Sequence, residues 1–160
     1  MDWPPLLLKL LHVGLAIAFI SGLIGRWIIL RRAATTEDVE EAARFSEAAA
    51  PFERLVIQGS AAAFVAGLLT AWAQGYAWLG LTTGWMLLSV ILLLSVMALV
   101  PTIFIPRGRT FEAALNDARR AGRVTPDLRA AFADPRVAFA RRYEIAVVAM
   151  VVALMVLKPF

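Results

Sequence analysis

A chain of 160 residues that is 61% hydrophobic, with a mean hydropathy of +0.74, is too apolar for a water-soluble domain and too short for more than one compact unit. Its net charge of +4 and pI near 10.3 do not argue for nucleic acid, because the basic residues flank apolar segments, where arginine fixes topology and meets anionic lipid headgroups. The absence of cysteine excludes disulfides, cysteine-ligated iron–sulfur clusters and thiolate zinc sites.

A bilayer core about 30 Å thick takes roughly 20 helical residues to cross. The first qualifying segment, Leu6–Leu30, lacks the basic start and the small-residue cleavage site of a signal peptide, and is expected to stay as a helix. Thr36 then predicts the cap of a helix from Glu37 to Ala50, with Pro51 restarting the chain as a second span, Phe52–Ala73. The connection Gln74–Gly80 carries no charge. A third span, Leu81–Ile105, contains Pro101, which predicts a kink, and is expected to end at Pro106. Thr110 predicts the cap of a helix ending near Gly122, and Thr125-Pro126 opens another short one. Asp134 and Pro135 signal the start of the fourth span, Pro135–Leu157, in which Arg141, Arg142, Tyr143 and Glu144 are placed at the interface and the run from Ile145 on is uncharged.

These elements predict an all-α membrane protein, one domain over 1–160, folded as a four-transmembrane-helix bundle with short interfacial cytoplasmic helices. Orientation follows from the arginines. The first loop and its flanks hold Arg26, Arg31, Arg32, Arg44 and Arg54; the third loop and its flanks hold nine more, from Arg107 to Arg142. Only Lys9 and Lys158 remain for the other side. The positive-inside rule then puts both large loops in the cytoplasm and both termini outside. Trp3, Trp72, Tyr76, Trp78 and Trp85 gather at the outer interface, where amphipathic rings lie.

Small residues at four-residue spacing form two stripes, Gly14, Ala18 and Gly22 on the first span and Gly59, Ala63, Gly67 and Ala71 on the second. Such stripes let backbones approach closely in lipid, either within the chain or between copies and partner subunits. His12, the one histidine, is placed on a different face from the first stripe, with Leu8, Ala16, Phe19 and Leu23. An intramembrane histidine is a candidate haem ligand, or a neutral group hydrogen-bonding across helices. Lys9 and Lys158 snorkel to the outer edge or form a basic pocket there. Arg26, Glu53, Arg54, Arg107, Arg142 and Glu144 fall at helix ends of similar depth and are expected to form an ion-pair ring at the cytoplasmic base. No phosphate-binding glycine loop, catalytic carboxylate pair, nucleophile–base set or zinc-ligand spacing is present.

The segment Leu8-Lys9-Leu10-Leu11-His12-Val13, the Gly84-Trp85 start of the third span, the Pro101 to Arg107 exit and the terminal Leu157-Lys158-Pro159 together resemble a bacterial family of predicted integral membrane proteins, domain of unknown function 2269. The resemblance covers nearly the whole chain and implies a four-helix inner-membrane protein. A more distant likeness is to the four-helix, haem-binding protoporphyrinogen oxidases, which also open on a Lys-x-Leu-His segment and end in a basic residue followed by Pro-Phe, here Lys158-Pro159-Phe160. That likeness implies His12 as a haem b ligand. The chain departs from the oxidase pattern in its third span, which has no lysine or histidine, and in its second, which reads Gln58-Gly59 where the oxidases have Arg-Pro.

The sequence thus predicts a non-enzymatic accessory or structural subunit of a membrane complex, or a small homo-oligomer, in contact with lipid and with no nucleic acid. The alternative is a haem-binding redox protein or porphyrin-handling enzyme using His12.

Overall fold

In lipid a backbone N–H or C=O has no water to bond, so long runs of Leu, Ile, Val and Ala satisfy their backbone within their own segment, as helix. The computed structural model describes residues 3–159, and every regular element among them is helical. Phe160, the last residue of the terminal Lys-Pro-Phe segment, lies outside the described residues. The order is α1 (Trp3–Thr35), α2 (Val39–Ala73), a 3-10 turn (Ala77–Gly80), α3 (Gly84–Leu99), a π-helical stretch (Val100–Phe104), α4 (Ile105–Ala121), α5 (Pro126–Phe132) and α6 (Pro135–Leu157).

Among the described residues three helices are long and apolar enough to cross a membrane: α1, α2 and the continuous run Gly84–Ala121. The expected fourth, α6, has 23 residues, but Arg141, Arg142 and Glu144 confine its uncharged run to Ile145–Leu157. That run is about 20 Å of helix against a hydrocarbon core of about 30 Å, so length and composition alone do not count it.

Two expected breaks are absent. The first loop does not form a separate helix ending at Ala50, because α2 runs through Pro51 without interruption. Pro51 is on an exposed face, and Glu47, whose carbonyl it leaves without its intrahelical donor, is exposed too. The cap is Asp38 and not Thr36: its carboxylate accepts from the Glu40 amide at 2.8 Å and the Glu41 amide at 3.4 Å, while the Thr36 hydroxyl donates to the Glu41 carboxylate. A carboxylate facing the helix N-terminus is the stronger acceptor for those amides.

The second expected break, at Pro106 and Thr110, is also bridged. Around Pro101 the helix widens to π geometry: the Met97 carbonyl, which Pro101 has no N–H to reach, accepts from the Val100 amide, the Ile105 amide donates to the Val100 carbonyl, and the chain continues into α4. Pro106 sits in the first turn of α4, and Thr110 donates back to the Pro106 carbonyl at 3.3 Å. Three sequence signals hold as read. Gly122 terminates α4 in the left-handed region at φ 64°. Thr125 caps α5 and Asp134 caps α6.

The helices associate as two antiparallel pairs. The α1–α2 seam is lined by small residues, and Phe19, Leu23, Val56 and Val148 form the cluster that brings α6 against it. The α3–α6 seam is built from larger side chains, with Val96, Val147 and Val151 buried among Leu92, Leu93, Tyr143 and Met155. Beneath them the first turns of α2 pack with α4 and α5 around Val39, Ala118 and Leu128, the last two completely buried. The segments expected to lie as interfacial helices are therefore mostly extensions of α2 and α3, and α5 is a short helix resting on both.

Candidate functional site

The face of α1 that meets α2 carries His12, Phe19, Gly22, Leu23 and Arg26. The sequence reading separated His12 from the packing stripe, and the structure corrects this: His12 lies in the seam. Its Nδ1 donates to the Ala63 carbonyl at 2.9 Å. Because a carbonyl only accepts, the proton belongs on Nδ1, and the Nε2 lone pair is left free. The ring rests on Gly67, where a Cβ would come within 3.0 Å of it. On α2 the stripe is placed as expected, with Gly59, Ala63 and Ala71 buried and Gly67 half-buried. Gly22 is wedged against Leu55, Val56 and the Phe52 carbonyl, and Ala18 is half-buried. Gly14 does not belong to this seam. It is exposed with open space around it, since eight residues, or roughly 800° of helix, turn it away from Gly22 and from the α2 contact.

At the opposite end the ring of six charges resolves into fewer partners. Arg26 donates to the Glu144 carboxylate at 2.6 Å, with both side chains buried, and its guanidinium lies 5.1 Å from the centre of the Phe104 ring. Arg107 pairs instead with Asp134, the α6 cap, at 3.3 Å. Glu53, Arg54 and Arg142 are exposed and make no ion pair among the described residues. Helix rotation explains the split: two positions before Glu144, Arg142 stands roughly 200° away, whereas Arg141, three before, stands within roughly 60° of it. Arg141 is accordingly the arginine that turns inward, and its Nε is buried without a partner.

Between the bases of α1, α2, α4 and α6 this leaves a cavity of about 480 Å³ whose walls include Arg26, Trp27, Glu53, Phe104, Arg107 and Arg141. A neighbouring cavity of about 260 Å³ shares Arg26, Glu53, Phe104 and Glu112 with it and reaches Glu144. At the other end of the molecule Lys9 is exposed. Lys158 reaches over the Trp85 ring at 5.6 Å, and Trp85 meets Tyr76 edge to face. Trp3, Trp72 and Trp78 are exposed.

The model of a protein family described as predicted integral membrane protein (DUF2269) matches residues 6–159. The chain belongs to this family. No curated protein and no solved structure matches the chain. For a DUF2269 protein, an integral membrane protein by that description, the Arg26–Glu144 pair takes on weight, since an ionised group inside a membrane protein is costly unless it is partnered.

Sequence reasoning missed Arg141, Phe104 and Asp134 as parts of the base, and missed the bond between Ser95 on α3 and Tyr143 on α6 at 2.8 Å. Ser95 donates to the Leu92 carbonyl at 2.6 Å, so the tyrosine hydroxyl is the donor between helices. The signal for Arg141 was present in the three-residue spacing to Glu144. None existed for Phe104, whose role depends on the π-helical offset after Pro101.

Proposed function

We propose that this DUF2269 protein is a non-enzymatic component of the bacterial inner membrane, with its large loops in the cytoplasm and both termini outside. In this reading it is a single domain over 1–160 with four spans, about 6–30, 52–73, 81–105 and 135–157. It acts as an accessory or structural subunit, or as a small homo-oligomer. Helix α6 joins the spans because Arg26 partners Glu144 and the arginines of its first turns reach the headgroup level.

The observation that carries the reading is the exposed face of α1. Gly14 and Ser21 are seven residues apart and both exposed, alongside Ile17 and Ile24, on the side away from the α2 seam. A glycine and a serine there do little for lipid contact, whereas small residues let a second helix approach closely. Replacement Gly14→Leu is expected to reduce the mass of the assembly in mild detergent, measured by light scattering after gel filtration, without changing the thermal midpoint of the chain itself. An unchanged assembly mass would remove this face as the subunit contact.

One observation favours a second reading, a haem-binding protein. The hydrogen bond from Nδ1 to Ala63 fixes the tautomer and leaves Nε2 as a donor for iron, the arrangement that orients an imidazole ligand. The residues present fit one axial position only, since the chain has a single histidine, and a second ligand would come from another copy of His12 or from outside. Oxidised and dithionite-reduced visible spectra of protein purified from haem-replete cells, beside His12→Ala, test this. A Soret band lost in the variant supports the haem reading, and a flat spectrum after added haemin ends it.

A further inference from the structure

The basal cavity is lined by charges of both signs beyond those that form ion pairs. Arg26 is taken by Glu144 and Arg107 by Asp134. Around the same 480 Å³ this leaves Arg31 and Arg141 as cations and Glu53 and Glu112 as carboxylates, and none of the four is in an ion pair among the described residues. Arg141 is the most constrained of them. Its Nε is buried without an acceptor, and it lies within electrostatic range of Arg26, Glu144 and Glu53. Leaving a buried guanidinium nitrogen without an acceptor is costly, and the guanidinium it belongs to lines the cavity.

Apart from Ser46, the remaining walls carry no polar side chain. Trp27 and Phe111 line the cavity, and Ile24, one turn before Trp27 on α1, is exposed and leads away from it toward the middle of the helix. The volume falls within the roughly 300–1,000 Å³ of small-molecule sites. Cations and carboxylates that line one cavity without forming ion pairs, beside an apolar track, complement a ligand carrying an oxyanion and an ammonium a few ångströms from each other, with a hydrocarbon tail.

We propose that this cleft binds a phosphoethanolamine-type headgroup, its phosphate on Arg141 and Arg31 and its ammonium on Glu53 and Glu112. The inference rests on the reading that this arginine-rich end stands at headgroup depth. Both halves of the recognition are needed for selectivity. A glycerol headgroup offers the carboxylates no cation, and a trimethylated ammonium offers them no N–H to share.

The full chain, stripped of lipid in mild detergent, is offered equal amounts of phosphatidylethanolamine, phosphatidylcholine and phosphatidylglycerol with matched acyl chains, and bound lipid is read by native mass spectrometry. Phosphatidylethanolamine is expected to be retained about tenfold over the other two, the effect of one charge-assisted hydrogen bond. The double replacement Glu53→Gln/Glu112→Gln should abolish the preference while leaving lipid binding, and Arg141→Gln should weaken all three lipids about tenfold. Equal retention of the three by the unaltered chain, or a preference that survives Glu53→Gln/Glu112→Gln, overturns the proposal. Both glutamates are exposed, so that test stands even if Arg141→Gln fails to fold.

Competition with soluble glycerophosphoethanolamine separates the two sources. Displacement of the lipid shows that the free ester is itself a ligand, and no displacement assigns the site to the membrane lipid. Release of the chain from membranes by alkaline carbonate without detergent would instead sink the membrane reading beneath the proposal.

Discussion

Along α1 and α2 the seam is made of Gly22, Gly59, Ala63 and Gly67, and the polar link across it is a histidine ring lying on a glycine and bonded to a backbone carbonyl. Along α3 and α6 the seam is made of Leu92, Val96, Val147 and Val151, and the link is a tyrosine reaching a serine. Lipid supplies no hydrophobic force between helices, so each pair relies on close packing and a polar bond. The difference lies in how near the backbones come. Small residues bring a carbonyl within reach of a short ring, while large ones hold the helices apart so that only a long side chain spans the gap. The two pairs are then tied to each other by the Phe19–Leu23–Val56–Val148 cluster and by one buried ion pair.

The largest effect is expected at that tie. Glu144→Gln leaves Arg26 buried and uncompensated, and should cost about 3–5 kcal/mol in thermal or denaturant unfolding in detergent. The double change Arg26→Met/Glu144→Leu should recover most of the loss. If Glu144→Gln unfolds with the unaltered protein, the pairs are not joined through this bond.

Next comes the narrow seam. Gly67→Leu pushes a side chain into the His12 ring and should destabilise by about 1–3 kcal/mol, whereas Gly14→Leu, with open space around it, should change unfolding by less than about 0.5 kcal/mol. Equal effects at the two glycines would erase the distinction between a sealed face and a free one.

The wide seam should respond less. Tyr143→Phe removes the bond to Ser95 while keeping the ring, and a loss near 0.6 kcal/mol is expected, measured as a small shift of the unfolding midpoint. A loss as large as that of Gly67→Leu would show that the α3–α6 pair depends on its polar bond rather than on packing.

Smallest is the base. Arg119 grips Glu40 with two nitrogens, at 3.1 and 3.2 Å, but both side chains are well exposed. Arg119→Gln should cost less than about 0.5 kcal/mol at low salt and next to nothing at about 1 M salt.

Local chemistry was largely legible. The apolar runs, the caps at Thr125 and Asp134 and the glycine stop at Gly122 read directly, because each depends on a few neighbouring residues. Pro51 and Pro106 misled, since whether a proline ends a helix depends on what its freed carbonyl meets and on whether it falls in the first turn of a continuing helix, and neither is written locally. At the base the sequence placed the charges at one level but chose Arg142 over Arg141. Level depends only on position along a helix, while facing depends on rotation relative to a neighbour.

By itself, then, the sequence determined the helical class, the ends at which charge and aromatic residues gather, and the small-residue seam of α2, because these follow from hydropathy, backbone satisfaction and residue size. Only the tertiary structure decided which face of α1 meets α2, that His12 bonds to Ala63, and that Arg26 finds Glu144 while Arg141 is left open to the cavity. Those outcomes rest on how helices far apart in the chain are rotated against each other. That rotation is set by the packing of all of them together and by no segment alone.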